Sequence, residues 1–300
     1  MIIQIPVTVS VTTYNSSKYV LATLESIKAQ TYQPLILHIC DDCSTDNTLR
    51  ICESWIKRNK SRFVETKIIV AERNTGVAGN VNRCLTACET EWCKNVAGDD
   101  VLRPECVEEY VKYVTKHPET VIVYSRVGVL GSTKERMERI LKYYDYDFFK
   151  MSFEEQYESL VVKGNTVPSV TQFLNVKRLR ELDIKYDERI PLLEDYPFLL
   201  NLIKNKVKLS FLDKVLVGYR VGCGGLSSGG NLSINYRKSL RLFYFYYLFP
   251  EKYRENPEKE INDIIKYELD ILQDLQRIQN SPSFKLGDVL LRPIKWFLRR

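Results

Sequence analysis

The sequence predicts an α/β fold: a doubly wound, mostly parallel sheet followed by a C-terminal helical extension. Segments typical of strands and of helices alternate regularly over residues 6–124, and such alternation implies right-handed crossovers with helices on both faces of the sheet. With 300 residues, 44% of them hydrophobic, the chain can form one large domain with an appendage. We expect residues 1–228 to form that domain, 229–283 the helical extension and 284–300 a basic tail.

The predicted strands of the first half are rich in β-branched residues, and the predicted helices carry apolar residues at helical spacing. The strands are residues 6–12, 35–40, 66–71, 92–97 and 121–124. The apolar helix faces are Val20, Leu24 and Ile27; Leu49, Cys52 and Ile56; Val77, Val81, Leu85 and Cys88; and Val107, Val111 and Val114. Ser16 or Ser17 can cap the first helix and Asp46 the second, and Pro104 suits the first turn of the fourth.

The second half of the chain shows a weaker pattern. Residues 131–165 are charged and tyrosine-rich and give no clear assignment, whereas order returns at 167–176 and residues 207–219 predict one or two strands. Two acids, Glu194 and Asp195, interrupt the apolar run of residues 192–200. Residues 222–230 form a glycine-serine loop, and residues 233–280 are helical in pattern.

Polar residues directly follow four of the predicted strands. They are Tyr14, Asp41-Asp42, Arg73-Asn74 and Asp99-Asp100. Because ligands bind parallel sheets beyond the carboxyl ends of the strands, we expect these residues to share one functional rim.

The last of these groups ends a strand-like run with Gly98 and two adjacent carboxylates, Asp99 and Asp100. Neighbouring acids repel each other, and a divalent cation such as magnesium or manganese would neutralise them and recruit phosphate oxygens. The alternative is an ordinary turn at a strand end, where Gly-Asp is common.

The net charge of +6 is unevenly distributed. The last seventeen residues contain five cations, Lys285, Arg292, Lys295, Arg299 and Arg300, against the single acid Asp288. The remainder is nearly neutral, which argues against a general nucleic-acid-binding surface. The N-terminus lacks the pattern of a signal peptide and no apolar run has membrane-spanning length, so we expect a cytoplasmic protein.

The basic tail has an apolar stripe of Leu286, Leu290, Ile294 and Phe297 at helical spacing. A basic amphipathic helix of this kind can lie in an anionic membrane interface. Pro293 weakens such a helix, so docking on a partner or on the chain itself is the competing interpretation.

The eight cysteines are scattered, and Cys52, Cys84 and Cys88 lie on apolar helix faces. They are expected to be reduced and to act as small hydrophobic residues. Cys40 and Cys43 form a C-x-x-C pair, but no second pair has the spacing of a zinc site.

Taken together, these motifs resemble those of a family 2 inverting glycosyltransferase with the GT-A, Rossmann-like nucleotide-sugar-binding fold. The resemblance rests on residues 9–15 (VSVTTYN), 41–48 (DDCSTDNT), 74–76 (NTG), 98–100 (GDD) and 194–195 (ED), in the family's order. It implies that Thr12, Tyr14 and Asp42 hold the nucleotide base, with Asn15 in the same loop and Arg73 near the base or diphosphate, while Asp41 fixes its loop. A packed aromatic and a solvated cation are the alternatives for Tyr14 and Arg73.

The resemblance also implies a metal, Mn2+ or Mg2+. Ala97 replaces the first acid of the family's metal motif, so Asp100 is expected to be the metal ligand and Asp99 to contact the ribose or the metal. One acid of Glu194-Asp195 is implied to be the general base, and we favour Asp195. Desolvation and mutual repulsion in an apolar segment would raise the pKa of one acid, although Glu194 could instead pair with Arg189. The loop at 222–230 would close over the donor or serve as a linker.

The resemblance therefore implies a metal-dependent glycosyltransferase that moves a sugar from a nucleoside diphosphate donor, UDP, to a hydroxyl of an envelope glycan or lipid-linked acceptor. It would be peripheral on the inner face of the cell membrane and would bind no nucleic acid. Alternatives are a sugar-phosphate nucleotidyltransferase, which needs a glycine- and arginine-rich loop after the first strand, and a non-catalytic nucleotide-sugar or glycan-binding module.

Overall fold

A computed structural model describes residues 4–190, 192–221 and 234–248, together with residues 266, 273, 276, 277 and 280–282. Its strands are β1 (Val7–Thr13), β2 (Leu35–Asp41), β3 (Glu65–Val70), β4 (Trp92–Ala97), β5 (Val101–Leu102), β6 (Ile122–Leu130), β7 (Phe173–Asn175) and β8 (Leu209–Arg220). Its α-helices are α1 (Val20–Lys28), α2 (Thr48–Asn59), α3 (Gly76–Ala87), α4 (Cys106–Lys116), α5 (Lys134–Tyr143), α6 (Phe153–Lys163), α7 (Val176–Glu181), α8 (Asp195–Lys204) and α9 (Ile234–Phe243).

Short 3-10 turns lie at Lys60–Arg62, Asp147–Lys150 and Ser169–Thr171, and a π-helical turn lies at Tyr244–Leu248. The chain divides into two compact units, residues 1–243 and 244–300. The first unit contains the sheet and all nine helices named above, and the second contains the π-helical turn.

The described strands form one mixed sheet in the order β3-β2-β1-β4-β7-β6-β8-β5. Neighbours from β3 to β4 are parallel, as are β6 and β8. Strand β7 is antiparallel to both β4 and β6, and β5 is antiparallel to β8. The predicted α/β fold with a mostly parallel sheet is thus confirmed, and the two short antiparallel strands are additions to it.

Much of the core lies where the sequence pattern placed it, but of the predicted α2 face only Cys52 is buried, and the sequence prediction missed the buried Trp55. Strand β1 buries Val7, Val9 and Val11 completely, as expected for a strand covered on both faces. Helices α1 and α4 bury their predicted apolar faces, which are Val20, Leu24 and Ile27 in the first and Val107, Val111 and Val114 in the second. Sheet and helices therefore share one hydrophobic core.

The predicted cap of the first helix is wrong. Helix α1 begins at Val20 after Tyr19, and no side-chain hydrogen bond caps it. The hydroxyl of Ser16 donates to the Tyr14 carbonyl instead, while the Ser16 carbonyl accepts from the N–H of Tyr19. The β1 loop is thus a turn of its own, and the helix starts only after it. Asp46 does bind the first turn of α2, since its Oδ1 accepts from the Thr48 N–H at 2.9 Å.

The region without a clear assignment, residues 131–165, contains α5, the turn Asp147–Lys150 and α6. Helix α6 begins with a capping box, in which Ser152 accepts from the Glu155 N–H and Glu155 accepts from the Ser152 N–H. The apolar run with two acids becomes the start of α8, and residues 209–220 form a single strand.

The seven cysteines in the described part of the chain are free, and Cys52, Cys84 and Cys88 are buried as predicted. In the same part of the chain, no helix is long and apolar enough to cross a membrane. The glycine-serine loop at 222–230, the tail at 284–300 and the boundaries after residues 228 and 283 lie outside the described residues and stay predictions.

Candidate active site

The loops after β1 and β2 are joined by Asp41, which is fully buried. Its Oδ1 accepts from the hydroxyls of Thr13 at 2.7 Å and Ser44 at 2.6 Å, and its Oδ2 accepts from the Ser44 N–H at 2.7 Å. A carboxylate with so many donors is satisfied by the protein itself. These contacts agree with the structural role that the sequence favoured for Asp41.

Asn15 adds a second link between the same two loops. It has a positive φ of 48°, a conformation that asparagine adopts more readily than most residues. Its Oδ1 accepts from the N–H groups of Thr45 at 2.9 Å and Asp46 at 3.3 Å. Next to this link, the side chain of Tyr14 is 48% exposed, so its ring is open to a ligand.

Asp42 connects the β2 loop to the start of α3. Both of its oxygens accept from the Thr75 N–H at 3.0 Å, and Oδ2 also accepts from the Gly76 N–H at 2.9 Å. Arg83 pairs with it at 3.4 Å and donates to the Thr75 hydroxyl at 2.8 Å. The sequence prediction missed this use of Asp42, because the donors lie more than thirty residues away. Arg73 is exposed on the loop before Thr75.

The acidic pair follows β4, where Gly98 passes close to the β1 loop. A Cβ at Gly98 would lie 2.9 Å from Thr13 Cγ2 and 3.1 Å from Ser16 Cβ, so only glycine fits without movement of its neighbours. The Gly98 N–H donates to the carbonyl of Thr12 at 2.9 Å. This close approach places Asp99 directly beside the β1 loop.

Asp100 is 2% exposed and Asp99 is partly exposed. Desolvation and then the charge of Asp99 raise the pKa of Asp100 to about 8, and desolvation also raises the pKa of Asp99. Both carboxylates are thus costly to keep ionised together, as the sequence predicted for adjacent acids.

Arg220, the last residue of β8, contacts this acidic pair and was missed by the sequence prediction. Its backbone N–H donates to Asp100 Oδ1 at 2.8 Å, and its Nε donates to the Asp99 carbonyl at 2.9 Å. The guanidinium carbon lies 5.0 Å from the ring centroid of Tyr19. Its position at a strand end is the only sequence signal that could have indicated this role.

The second acidic pair lies at the start of α8. Desolvation and then the charge of Asp195 raise the pKa of Glu194 to about 8. Desolvation also raises the pKa of Asp195, but nearby backbone N–H groups and the amide of Asn165 oppose that rise. Arg189, the suggested partner of Glu194, forms an ion pair with Asp187 at 2.6 Å.

Tyr144, just after α5, lies near both acidic pairs. Its pKa is raised by desolvation and by neighbouring charges that include both Asp195 and Asp100. Charges at the end of β4 and at the start of α8, which are 95 positions apart in the sequence, therefore both raise the pKa of Tyr144.

The carboxylate oxygens at the end of β4 are suitable ligands for magnesium or manganese. Among the described residues no cluster of three or more histidine, cysteine, aspartate or glutamate side chains could form a complete metal cage. Magnesium does not require one, since it is commonly bound by one or two carboxylates together with waters and substrate phosphates. Asp99 and Asp100 supply such hard oxygen ligands, and a bound cation would offset their negative charge.

Comparison with known proteins identifies the family. Residues 8–169, more than half of the chain, match the family model described as Glycosyl transferase family 2. The chain belongs to this family. The glycosyltransferase is 31% identical over 128 residues to the putative glycosyltransferase EpsE of Bacillus subtilis, covering 43% of this chain and 45% of EpsE.

A second relative is the poly(ribitol-phosphate) beta-N-acetylglucosaminyltransferase TarS of Staphylococcus aureus. It is 27% identical over 210 residues, which cover 68% of this chain and 33% of TarS. The crystal structure of S. aureus TarS 1-349 in complex with UDP-GlcNAc superimposes with a TM-score of 0.62 and 22% identity, covering 80% of this chain and 66% of that one. The glycosyltransferase thus has the GT-A fold, and it spans less than half of the length of these two curated relatives.

Proposed function

We propose that this glycosyltransferase moves a single sugar from a UDP-linked donor to an acceptor hydroxyl, with a divalent metal and with inversion at the anomeric carbon. The observation that carries this proposal is the presence of two acidic sites, Asp99-Asp100 and Glu194-Asp195. The charges of Asp100 and Asp195, one from each site, both raise the pKa of Tyr144. One pair suits the diphosphate with its metal, and the other suits the acceptor proton.

On the donor side, Thr12, Tyr14, Asn15, Asp42 and Arg73 are proposed to bind the nucleotide. The exposed ring of Tyr14 can stack on a base. Asp42 is 2% exposed and already accepts from the N–H groups of Thr75 and Gly76. A base N–H that donates to Asp42 would therefore use the same carboxylate oxygens as these two groups. The complex of TarS with UDP-GlcNAc supports a UDP-sugar as the donor class.

At the diphosphate, Asp99 and Asp100 would hold Mn2+ or Mg2+. Asp99 is also proposed to contact the ribose. When bound, such a cation stabilises the negative charge that develops on the leaving nucleotide. Arg220 contributes a fixed positive charge beside the same two acids. Because its Nε and backbone N–H are already anchored on the pair, this charge is held in place before the donor arrives.

On the acceptor side, Asp195 is proposed to take the proton of the acceptor hydroxyl as that oxygen attacks the anomeric carbon. A general base must be ionised before the step and must accept a proton within it. Desolvation and the charge of Asp195 raise the pKa of Glu194, whereas the Asn165 amide donates to Asp195 at 2.9 Å and favours the ionised form of Asp195.

The acceptor is proposed to be an envelope glycan or a lipid-linked glycan at the cytoplasmic face of the membrane. TarS acts on a poly(ribitol-phosphate) according to its name, which supports a polymeric cell-envelope acceptor. The basic tail at 284–300 would hold the enzyme near that surface.

Thermal unfolding in the presence of nucleotides tests the donor and metal assignments. UDP with manganese should raise the melting temperature, since a ligand at 100 times its Kd stabilises the native state by about 2.7 kcal/mol. ADP should do so less, and EDTA should abolish most of the UDP effect. Asp100→Asn should lose the manganese-dependent part of the shift.

Asp183→Asn is the matched control, because Asp183 is exposed and has a positive φ of 51° that asparagine also adopts. It should respond to UDP and manganese as the unaltered protein does. If the shift with UDP is the same in EDTA, or survives in Asp100→Asn, the metal assignment is wrong.

A further inference from the structure

Asn165 lies in the connection between α6 and the 3-10 turn Ser169–Thr171, and its side chain reaches the second acidic pair. Its Oδ1 accepts from the Val167 N–H at 2.9 Å, which fixes the orientation of the amide. Its Nδ2 then points to Asp195 and donates to Oδ2 at 2.9 Å.

The backbone of this connection is itself held in place. The hydroxyl of Tyr143 donates to the Asn165 carbonyl at 2.6 Å, and the Asp145 N–H donates to the Thr166 carbonyl at 3.2 Å. Val167 and Pro168, which follow, are buried. These hydrogen bonds hold the backbone on which the Asn165 amide reaches Asp195.

The two neighbouring acids differ in the donors that face them. Asp195 accepts from the amide of Asn165 at 2.9 Å, and the backbone N–H of Tyr196 also lowers its pKa. Glu194 has its own backbone N–H, and the charge of Asp195 acts against its ionisation. When two interacting carboxyls share a site, the one with more donors is the one that ionises first.

We propose that Asn165 is a positioning residue for the transfer reaction: it selects Asp195 over Glu194 as the ionised carboxylate and orients it toward the acceptor hydroxyl. This inference rests on the proposed function, in which Asp195 is the base. Asn165 contacts no reacting atom itself and acts only through Asp195.

The other titratable groups around Asp195 do not compete for this selection. They are Tyr124 on β6, Tyr143 and Tyr144 at the end of α5, Tyr186 before α8 and Tyr196 on α8. Desolvation raises the pKa of each of these tyrosines above its ordinary value, so all five stay neutral in the range where carboxyls titrate. Glu194, whose pKa is raised by the charge of Asp195, is the neighbouring acid that competes with it for ionisation.

Two variants test the proposal. Asn165→Asp keeps an oxygen that can accept from the Val167 N–H but replaces the donor to Asp195 with a second acid, and Asn165→Ala removes the side chain. Loss of a donor to the charged form raises the pKa of a carboxyl. We expect the midpoint of Asp195 to rise by about one unit in Asn165→Ala and by more in Asn165→Asp.

The first readout is the titration of Asp195 by 13C NMR of aspartate-labelled protein, with its signal assigned by its loss in Asp195→Asn. The second is the pH profile of UDP release from UDP-GlcNAc with manganese. The acidic limb of kcat should shift upward by the same amount while the KM for UDP-GlcNAc stays unchanged, and activity should recover at high pH in Asn165→Ala.

Asn59→Ala is the matched control, since the Asn59 amide donates only to the Trp55 carbonyl, at 2.9 Å, on α2. It should leave both the midpoint and the profile unchanged. An unchanged midpoint in both Asn165 variants overturns this inference, whether or not the protein releases UDP. Full UDP release by Asp195→Asn instead overturns the assignment of the base in the proposed function, so the two failures are distinguishable.

Discussion

Single residues at this site show that neighbours in sequence can have different chemistry. Asp41 and Asp42 follow the same strand, yet Asp41 binds the β1 and β2 loops while Asp42 binds the start of α3. Glu194 and Asp195 are likewise adjacent, and the Asn165 amide donates to the second of them. Sequence motifs could place these acids at the rim of the sheet but could not show which donors reach each one.

Replacing Glu194 or Asp195 by its amide tests which of the two acids is the general base. Asp195→Asn should lower turnover at saturating donor and acceptor by about a hundredfold or more, because an amide cannot take the acceptor proton. Affinity for the donor should change little, since the base acts in the transition state. Glu194→Gln should have a smaller effect on turnover.

The measurements are turnover, donor affinity and melting temperature for each variant. Glu154→Gln, which removes only an exposed ion pair with Lys206, serves as the control and should match the unaltered enzyme. If Glu194→Gln loses turnover and Asp195→Asn keeps it, Glu194 is the base. If both keep it, the acceptor is activated by another group.

At the scale of elements, long periodic segments could be predicted and short ones could not. Helices α1 and α4 bury the faces that the apolar spacing indicated. Strands β5 and β7 have only two and three residues, too few to show an alternating pattern, and their pairing partners are distant in sequence. Helix α5 carries Met137, Ile140 and Leu141 at helical spacing, a signal that the sequence prediction missed, although none of its residues is buried.

Helix α6 carried a signal that could have revealed it. Ser152 and Glu155 have the spacing of a capping box, and the structure shows both of its reciprocal hydrogen bonds. Ser152→Ala should lower the free energy of unfolding by about 1 kcal/mol, measured by urea denaturation. Ser54→Ala, at an exposed position inside α2, is the control and should be neutral or slightly stabilising. Equal stability of the two variants would show that the capping box contributes nothing.

At the scale of the whole molecule, the site is assembled from residues that are far apart in the chain. The hydrogen bond from the Arg220 N–H to Asp100 joins positions separated by 120 residues, and the fold alone brings them together. The TarS 1-349 structure shares this fold over 80% of the chain at 22% identity. The sheet and the two acidic pairs follow from the family pattern, whereas Arg83, Arg220 and Asn165 become visible only when the strands are placed side by side.

The tail at 284–300 leads to a prediction for the whole enzyme on a membrane surface. Its five cations against one acid, beside an apolar stripe, should bind vesicles that contain an anionic lipid, with about 1 kcal/mol from each cation near the surface. Truncation after residue 283 should therefore abolish co-sedimentation with phosphatidylglycerol vesicles and leave transfer to a soluble acceptor unchanged. Arg292→Gln alone should weaken binding by about fivefold.

The control that separates charge from apolar contact is Leu290→Gln, which preserves all five cations and removes one residue of the stripe. Binding by the unaltered enzyme should fall as salt is raised, because the Debye length shrinks from about 10 Å at 0.1 M to about 3 Å at 1 M. The same salt should have a smaller effect on Arg292→Gln than on Leu290→Gln, since the first has lost part of its electrostatic attraction. Sedimentation that is insensitive to truncation and to salt would contradict the membrane role of the tail and favour the docking interpretation.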